Sequence, residues 1–394
     1  MKKLIFPVVL LGLFIAGISS CKKDKTIKSN AKVFKVELFK QNLDSQLNGV
    51  AIGYAFVINK DGQFADSASG GIARATSPAG GSNSTPMSIH STINIASVTK
   101  AFTAMCAIKL LDQNNLTIED TIGPWLPSYW NKNSAIAKLT FKELLRHRSG
   151  IQESNTSWDS LKATAAQPLD DPTKGYRYAN ANFALFRAMI PKLYDKNTFN
   201  SQENLQVQGT ITSNFETWMS LKYIAVMQEL VFTPAGVYNA TCNLNPNNTN
   251  CQAFNELPAN SLVPKENGDW TELCGGGGFN LTTWQMAAVM AFLAHSDAIL
   301  NGTQKTRMDD NMMGWDNIDS PTSTQGKIYG KDGALYWDND GDKTIDAGDS
   351  GLQTLVQKYP NGVELILTIN SVGSGWRNPA NMALGAYEAA WVSE

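Results

Sequence analysis

Residues 93–104 read INIASVTKAFTA, and the organisation of the chain can be worked out from this stretch. Apolar residues continue at helical spacing to about Gln113, so a helix is predicted to begin near Ser97. Lys100 follows one turn later on the same helix face. A helix start favours negative charge, and a poorly solvated lysine loses its proton more readily. Ser97 is therefore a candidate nucleophile with Lys100 as its base, and the alternative is an ordinary N-cap serine.

The Ser-x-x-Lys spacing is weak evidence by itself, because it occurs four times in this chain. The other three pairs lie near the N-terminus, at Ser19/Lys22, Ser20/Lys23 and Ser29/Lys32. Only Ser97 stands between a predicted hairpin and an apolar helix. The hairpin is predicted over residues 49–74, where NKDG is a turn signal between two extended stretches.

Two later motifs supply residue types that such a nucleophile would use. Tyr178-Ala-Asn180 precedes an apolar helix in GYRYANANFALFRAMI, and Lys331-Asp332-Gly333 begins a late strand in YGKDGALYW. Each pattern has decoys elsewhere, at Tyr129/Asn131, Tyr359/Asn361 and Lys60/Gly62. The informative features are therefore the order of the motifs and their settings. The structural alternatives are a helix-entry cap for the first motif and a strand-edge charge for the second.

Extended patterns lie at both ends of the chain, and helical patterns lie between them. We expect an α+β fold of two lobes, in which both chain ends form one antiparallel sheet flanked by the terminal helices. The sheet lobe is predicted at about 33–96 and 320–394, and a mostly helical lobe at about 97–319. A cleft between two lobes is a natural ligand site.

The motif order resembles the serine β-lactamase and penicillin-binding protein family. The Tyr-x-Asn version is similar to class C β-lactamases, D-alanyl-D-alanine carboxypeptidases, D-aminopeptidases and esterases. Three flanking segments are also similar to segments of that family: LTFKELLRHRSGI, CGGGGFNLTTWQMAAVMAFL and GVELILTIN. The glycine run in the second lacks the Lys-Ser/Thr of a phosphate loop, so we interpret it as close-packed backbone beside the cleft. The resemblance covers roughly residues 35–390.

The resemblance implies a serine hydrolase that works through an acyl-enzyme and needs no cofactor for catalysis. Ser97 would be the acylated nucleophile. Lys100 and Tyr178 would share the proton transfers. Asn180 would hold the substrate amide and the lysine. Lys331 would supply positive potential beside the tyrosine.

The resemblance also implies an oxyanion hole made by the backbone N–H groups of Ser97 and Ala334, with Asp332 and Gly333 contacting the substrate. Asp332 stands where β-lactamases and carboxypeptidases mostly have a hydroxyl residue that helps to bind a substrate carboxylate. A carboxylate there should repel such substrates unless it pairs with Lys331. We therefore favour an ester or a D-amino-acid or peptide-type amide as substrate. The alternatives are a class C-like β-lactamase or D-Ala-D-Ala carboxypeptidase, and a non-catalytic binding or sensor lipoprotein that retains the fold.

DNDGDKTIDAGD at residues 338–349 predicts a structural calcium site. Oxygen-bearing residues occupy positions 1, 3, 5, 7, 9 and 12 of a calcium loop, namely Asp338, Asp340, Asp342, Thr344, Asp346 and Asp349. Lys343 departs from the pattern, since glycine is normal at that position. The alternative is a polar loop between strands, and a calcium-dependent adhesion module would have only this loop in its favour.

The N-terminal residues are typical of an exported bacterial lipoprotein. Residues 1–20 predict a signal peptide, ISSC resembles a lipoprotein cleavage box with Cys21 as the lipid-bearing residue, and residues 21–32 predict a tether. The alternative is a soluble secreted protein. We expect a lipid anchor in the bilayer of the cell envelope, on the periplasmic side or the outer-membrane surface.

Composition and cysteine positions add further expectations. A formal net charge of -2 argues against a nucleic-acid partner, and we expect a monomer that binds a small molecule or peptide. Cys242 and Cys251 bracket a polar loop, and export favours a disulfide between them. Cys106 and Cys274 are predicted to be free, buried thiols.

Overall fold

A computed structural model describes residues 32–75, 84–209, 214–243, 249–255, 262–316, 322–346, 348–372 and 378–394. The predicted signal peptide, Cys21 and almost all of the predicted tether lie outside these residues. Within the ranges described, no helix has both the length and the apolar character needed to cross a membrane.

The described residues form antiparallel strands and α-helices. The strands are β1 (Lys32–Phe34), β2 (Gly53–Lys60), β3 (Gln63–Arg74), β4 (Thr85–Pro86), β5 (Thr92–Asn94), β6 (Asn280–Thr282), β7 (Thr322–Ser323), β8 (Gly326–Lys327), β9 (Tyr329–Trp337), β10 (Ser350–Lys358), β11 (Val363–Ile369) and β12 (Trp391–Ser393). The helices are α1 (Val36–Leu47), α2 (Thr99–Gln113), α3 (Ser134–Ala137), α4 (Phe141–Leu145), α5 (Trp158–Ala166), α6 (Ala181–Ala184), α7 (Phe186–Tyr194), α8 (Lys196–Val207), α9 (Phe215–Met227), α10 (Thr283–His295), α11 (Gly302–Asp310) and α12 (Pro379–Glu388).

The central sheet joins the two ends of the chain. Its strand order is β4-β3-β2-β11-β10-β9, and every pair of neighbours is antiparallel. The N-terminal and C-terminal parts meet where β2 pairs with β11, with Val57 opposite Ile366. The predicted sheet built from both chain ends is therefore confirmed.

The hairpin between β2 and β3 follows from its turn chemistry. Asp61 and Gly62 have φ values of 52° and 76°, which suits the left-handed backbone that a two-residue hairpin turn requires. β2 is buried along nearly its whole length, because helices cover both faces of the sheet. A strand buried on both faces has a continuous apolar run rather than alternation.

The terminal helices cover one face of the sheet, as the sequence predicts. Phe39 of α1 and Tyr387 of α12 pack edge to face at 5.9 Å above Phe56 and Leu365. α10 covers the other face, where the Asn59 amide donates to a backbone carbonyl of α10 at 3.0 Å. The sequence-based division of the chain placed α10 in the helical lobe, whereas its contacts include the sheet.

α2 lies between the sheet and the helical part of the chain, and almost all of its residues are buried. Gly314 shows how closely the chain passes this helix. A Cβ added there would lie 2.7 Å from Ala104 Cβ, and its φ of 76° favours glycine. α2 is therefore held from several sides, which fixes the residues at its N-terminal end.

The predicted disulfide between Cys242 and Cys251 is wrong, because both thiols are free and buried. They occupy different parts of the core. The Cys251 thiol contacts Met87 Sδ at 3.6 Å, whereas the Cys242 thiol hydrogen-bonds with Cys274. Cys106 and Cys274 are free and buried, as predicted.

Candidate active site

Ser97 lies in a single 3-10 turn, Ala96–Val98, that leads directly into α2. The N-cap residue of α2 is Val98, and no side chain caps this end. Ser97 is therefore not an ordinary N-cap. Ala96 has a φ of 46°, a conformation that is strained for a residue with a side chain. The Asn94 side chain supports the turn by accepting from Ala96 N at 2.8 Å.

Lys100 is fully buried and points at the serine. Its Nζ donates to Ser97 Oγ at 3.0 Å, to Asn180 Oδ1 at 2.8 Å, and to the carbonyl of Gly276. Burial lowers the pKa of Lys100, the Tyr178 oxygen opposes that effect, and the charge of a second lysine adds to it. The oxygens of Ser97, Asn180 and Gly276 are formally neutral, so none of these three contacts fully compensates a positive charge on Lys100.

Tyr178 completes the arrangement around the nucleophile. Its hydroxyl donates to Ser97 Oγ at 2.7 Å. Lys100 Nζ and Lys331 Nζ lie 4.9 Å and 5.3 Å from the centre of its ring. Burial raises the pKa of Tyr178, but the two lysines and the hydrogen bonds with Lys100 and Ser97 outweigh that effect, so the pKa lies below its ordinary value. Such a phenol exchanges protons more readily near neutral pH.

The ring of His147 packs against the ring of Tyr178. His147 was not identified as a site residue from the sequence. The centroids of the two rings lie 4.4 Å apart, and the ring planes are tilted by 32°. His147 Nδ1 accepts from the backbone N–H of Ala179 at 3.3 Å, which places the ring proton on Nε2. Burial, together with the two nearby lysines, holds the pKa of His147 well below its ordinary value, so the ring is neutral. The only sequence signal was its place in the segment LTFKELLRHRSGI.

Lys331 is also buried, but its partners are carboxylates. Its Nζ lies 2.6 Å from Asp316 Oδ1 and 3.0 Å from Asp332 Oδ1, and Asp316 Oδ2 accepts from Asp332 N at 2.9 Å. Burial would lower the pKa of Lys331, but Asp316, Tyr178 and Asp332 raise it above its ordinary value. Burial raises the pKa of Asp316 to about 6, against the attraction of the lysine.

Asp316 is a second residue that sequence reasoning missed. It belongs to no motif and lies between α11 and β7, so no spacing relates it to Lys331. Its position is fixed by tertiary structure, since Asp316 N donates to the carbonyl of Gly330 on β9 at 2.9 Å.

Gly333 allows β9 to pass directly against the nucleophile turn. A Cβ at this position would lie 2.7 Å from both Ser97 N and Ile95 O, so only glycine fits. Thr354 on β10 ties the same turn to the sheet, because its hydroxyl donates to Ile95 O at 2.8 Å. Ser97 and Ala334 consequently line one cavity, as expected for two residues whose N–H groups would form an oxyanion hole.

The cavity has a volume of about 270 Å³ and both apolar and polar walls. Its other lining residues include Trp270, Leu273, Leu335, Ser154, Asn155 and Thr156. Gly276 and Gly277 form part of the same wall, which agrees with the interpretation of the glycine run as packed backbone beside the cleft. The cavity can hold a moderate acyl group next to Ser97.

Part of the predicted calcium loop brings carboxylates together. Asp338, Asp340 and Asp342 place their ligand oxygens within 4.8 Å of one another. Lys343, at the position where glycine is normal, adopts a φ of 67°, so the backbone turns there as a calcium loop requires.

The remaining three residues of the loop form hydrogen bonds within it. The Thr344 hydroxyl donates to Asp342 Oδ1 at 2.7 Å, and Asp346 N donates to Asp349 Oδ2 at 3.1 Å. Asp349 is buried and also accepts from Asn339 N at 2.6 Å. Calcium binding stays a prediction, because hydrogen bonds of this kind also stabilise a polar loop without an ion.

Comparison with known proteins identifies related sequences. The family model described as Beta-lactamase matches residues 37–345. A penicillin-binding protein of Bacillus subtilis (strain 168) is 28% identical over 123 residues, which is 27% of this chain and 26% of that protein. The protein flp of Staphylococcus aureus (strain COL) is 31% identical over 153 residues, or 34% of this chain and 30% of that protein. The matched region thus spans less than a third of either relative.

Solved structures share the fold over most of the chain. The D-amino acid amidase of Ochrobactrum anthropi SV3, complexed with D-phenylalanine, has a TM-score of 0.61 and 16% identity, covering 89% of this chain and 98% of that one. A beta-lactamase/D-alanine carboxypeptidase of Yersinia pestis has a TM-score of 0.59 and 17% identity, covering 90% and 97%. These similarities confirm the predicted α+β architecture with an antiparallel sheet and helices.

Proposed function

Because the chain belongs to the beta-lactamase family, whose fold is that of hydrolases, we propose that it is a serine hydrolase that forms an acyl-enzyme on Ser97. Its substrates are esters or D-amino-acid or peptide-type amides. The observation that supports this best is the contact of Ser97 Oγ with Lys100 Nζ at 3.0 Å and with Tyr178 Oη at 2.7 Å. Acyl transfer requires a nucleophile and groups that can accept and return its proton, and this site has one nucleophile with two such groups.

Acylation begins with Lys100 in its neutral form, which burial favours. A neutral amine has two N–H donors and one lone pair. Asn180 Oδ1 and the Gly276 carbonyl accept the two N–H groups, so the lone pair is left for the Ser97 hydroxyl proton. As that proton moves to Lys100, Ser97 Oγ forms a bond to the substrate carbonyl carbon. The backbone N–H groups of Ser97 and Ala334 stabilise the oxyanion, and one such donor is typically worth about 3 kcal/mol.

The tetrahedral intermediate then collapses. The bond from the carbonyl carbon to the leaving oxygen or nitrogen breaks, and Tyr178 gives that atom its proton while Lys100 returns one to Tyr178. Water next attacks the acyl-enzyme, passing a proton to the same pair. Ser97 recovers its proton, and the free acid is released.

The carboxylate pairs of Lys331 argue against the β-lactam alternative. A β-lactam or a D-Ala-D-Ala peptide presents a carboxylate that would need a cation. Lys331 already forms salt bridges with Asp316 and Asp332, so it is not available for a substrate carboxylate. Burying an amine is unfavourable, yet Lys100 is fully buried beside Ser97. The non-catalytic alternative offers no function that would offset this cost.

Active-site labelling tests the proposal. Intact-protein mass spectrometry after exposure to a fluorophosphonate should show one adduct, and peptide mapping should place it on Ser97. Ser97→Ala should abolish the adduct, whereas Ser154→Ala, which removes another hydroxyl of the cavity, should retain it. A folded protein that no fluorophosphonate, activated ester or penicillin labels is not a serine hydrolase. Labelling by penicillin as fast as by an ester would favour the β-lactamase alternative.

We also propose that the protein is attached to the cell envelope through an acylated Cys21, on the basis of the sequence alone. Mass spectrometry of the protein from membranes should detect a lipid-modified N-terminal peptide. Cys21→Ser should move the protein into the soluble fraction, whereas Cys106→Ser should leave it in the membrane. A membrane-bound protein with an unmodified Cys21 would contradict the proposal.

A further inference from the structure

We propose that the substrate's leaving group carries a positive charge and that Asp332 is the residue that recognises it. The inference rests on the proposed function, because it specifies the substrate of the same acyl-transfer site. It concerns the group that departs with a proton from Tyr178, and not the acyl group that stays on Ser97.

The charge balance around Lys331 is the first observation. One ammonium faces two carboxylates, at 2.6 Å for Asp316 and 3.0 Å for Asp332, so the three groups together have a net charge of about -1 when both acids are ionised. The lysine side chain is only 2% exposed, so little of its charge is accessible to a ligand. A ligand that approaches this cluster therefore meets negative charge.

Asp332 is the member of the cluster that a substrate can reach. Its side chain is 42% exposed, compared with 15% for Asp316. Burial would raise the pKa of Asp332, but Lys331 outweighs that effect and holds it below its ordinary value. Asp332 is thus a carboxylate at neutral pH with an accessible face. Asp316 holds the other side of Lys331 and leaves Asp332 incompletely neutralised.

The cluster of Lys331, Asp316 and Asp332 lies on the side of the site where the leaving group departs. Lys331 Nζ lies 5.3 Å from the ring centre of Tyr178, the residue that protonates the leaving atom. The cavity beside Ser97 that suits an acyl group is lined by Trp270 and Leu273 and not by Asp332. Asp332 is two residues before Ala334 on the same strand, a separation of roughly 7 Å between Cα atoms. A leaving group long enough to span that distance would place its cation beside Asp332.

The same geometry disfavours an anionic leaving group. At a separation of roughly 8 Å near a protein surface, one unit charge changes an interaction by an amount equivalent to about tenfold or more in rate. Reversing the substrate charge from positive to negative should thus change kcat/KM by about two orders of magnitude.

Three thioesters with the same acetyl group test the inference. They are acetylthiocholine, with a cationic leaving thiol, 3,3-dimethylbutyl thioacetate, its neutral analogue of the same shape, and 3-(acetylthio)propionate, which is anionic. In each reaction Ser97 Oγ bonds to the carbonyl carbon, the carbon–sulfur bond breaks, and the sulfur leaves with the proton from Tyr178. A thiol reagent measures the product, and kcat/KM is divided by the hydroxide hydrolysis rate of each thioester.

We expect acetylthiocholine to exceed the neutral analogue by about tenfold, and the anionic thioester to be slower again by at least tenfold. Asp332→Asn should reduce the ratio of cationic to neutral kcat/KM by about tenfold. Asp297→Asn is the matched control, because it removes an exposed carboxylate that pairs with Lys305 on another part of the surface. That control should leave the ratio unchanged.

Three results would overturn the inference, and the third can be told apart from the first two. If the wild-type protein hydrolyses all three thioesters at similar normalised rates, or Asp332→Asn keeps the wild-type ratio, Asp332 does not recognise a cation although the protein is a hydrolase. If none is hydrolysed and Ser97 stays unlabelled, the proposed function fails and this inference fails with it. Even if Asp332→Asn does not fold, similar normalised rates in the wild-type protein would still overturn the inference.

Discussion

Lys100 and Lys331 are both buried beside the ring of Tyr178, yet their pKa values shift in opposite directions. Their Nζ atoms lie 4.9 Å and 5.3 Å from the centre of the same tyrosine ring, and the lysines are 0% and 2% exposed. Lys100 contacts the neutral oxygens of Ser97, Asn180 and Gly276, and its pKa is lowered. Lys331 contacts two carboxylates, and its pKa is raised.

The difference shows that contact partners, and not burial, decide the protonation state of a buried lysine. Burial disfavours the charge on both. Two carboxylates reverse that effect at Lys331, whereas an amide, a carbonyl and a hydroxyl do not reverse it at Lys100. One lysine is therefore suited to accept a proton, and the other is a fixed cation.

Arginine substitution should separate the two lysines most strongly. Lys100→Arg replaces a base by a group that stays protonated, so we expect kcat to fall by about a thousandfold or more. Lys331→Arg keeps a cation between the two carboxylates and should lower kcat by only about tenfold. Steady-state hydrolysis of an activated ester measures both. Equal losses in the two variants would mean that Lys100 is not the base.

Methionine substitution should separate the lysines in the opposite sense when stability is measured. Lys331→Met leaves Asp316 buried without its cation, and we expect the free energy of unfolding to fall by about 3 kcal/mol. Lys100→Met removes a buried amine and leaves only neutral acceptors, so the loss should not exceed about 1 kcal/mol. Urea unfolding at pH 7 measures both. If Lys100→Met is the more destabilised variant, Lys100 is charged and paired in the folded protein.

The pH profile should show that the charge of Lys331 assists Lys100. Activity requires neutral Lys100, so kcat/KM should rise up to tenfold per pH unit and level off above the lowered pKa of that lysine. Removing the neighbouring positive charge raises the pKa of Lys100. The rising limb of Lys331→Met should therefore lie at higher pH than in the wild type, whereas Lys331→Arg should keep its position. A limb that does not move in Lys331→Met would show that the lysines are not coupled.

The predicted calcium loop, residues 338–349, extends the comparison to carboxylates for which the described residues show no salt bridge with a lysine. The effect expected there is the smallest. Asp338, Asp340 and Asp342 lie close together with exposed side chains, so a calcium ion would supply the missing positive charge. We expect millimolar Ca²⁺ to raise Tm by about 2–4 °C and a chelator to reverse the rise. Asp340→Asn should reduce the effect, and Asp297→Asn should not. A wild-type Tm that does not change with calcium would contradict the predicted calcium site.

Sequence patterns predicted the main elements of the fold because those elements depend on local chemistry. The turn at Asp61 and Gly62 needs left-handed residues, and the sequence provides them. The capping box of α4, in which Thr140 and Glu143 satisfy each other's backbone N–H groups, is likewise readable from neighbouring residues. The disulfide prediction failed because sequence proximity of Cys242 and Cys251 does not fix where their side chains enter the core.

The sequence by itself determined the order of the motifs, the family resemblance and the identity of five residues that meet at one site: Ser97, Lys100, Tyr178, Asn180 and Lys331. Only the tertiary structure decided what each lysine contacts. Asp316 and the Gly276 carbonyl reach the lysines from distant parts of the chain, and His147 packs against Tyr178 in the same way. A pKa depends on atoms within a few ångströms in space, and those atoms are brought together by folding rather than by spacing along the chain.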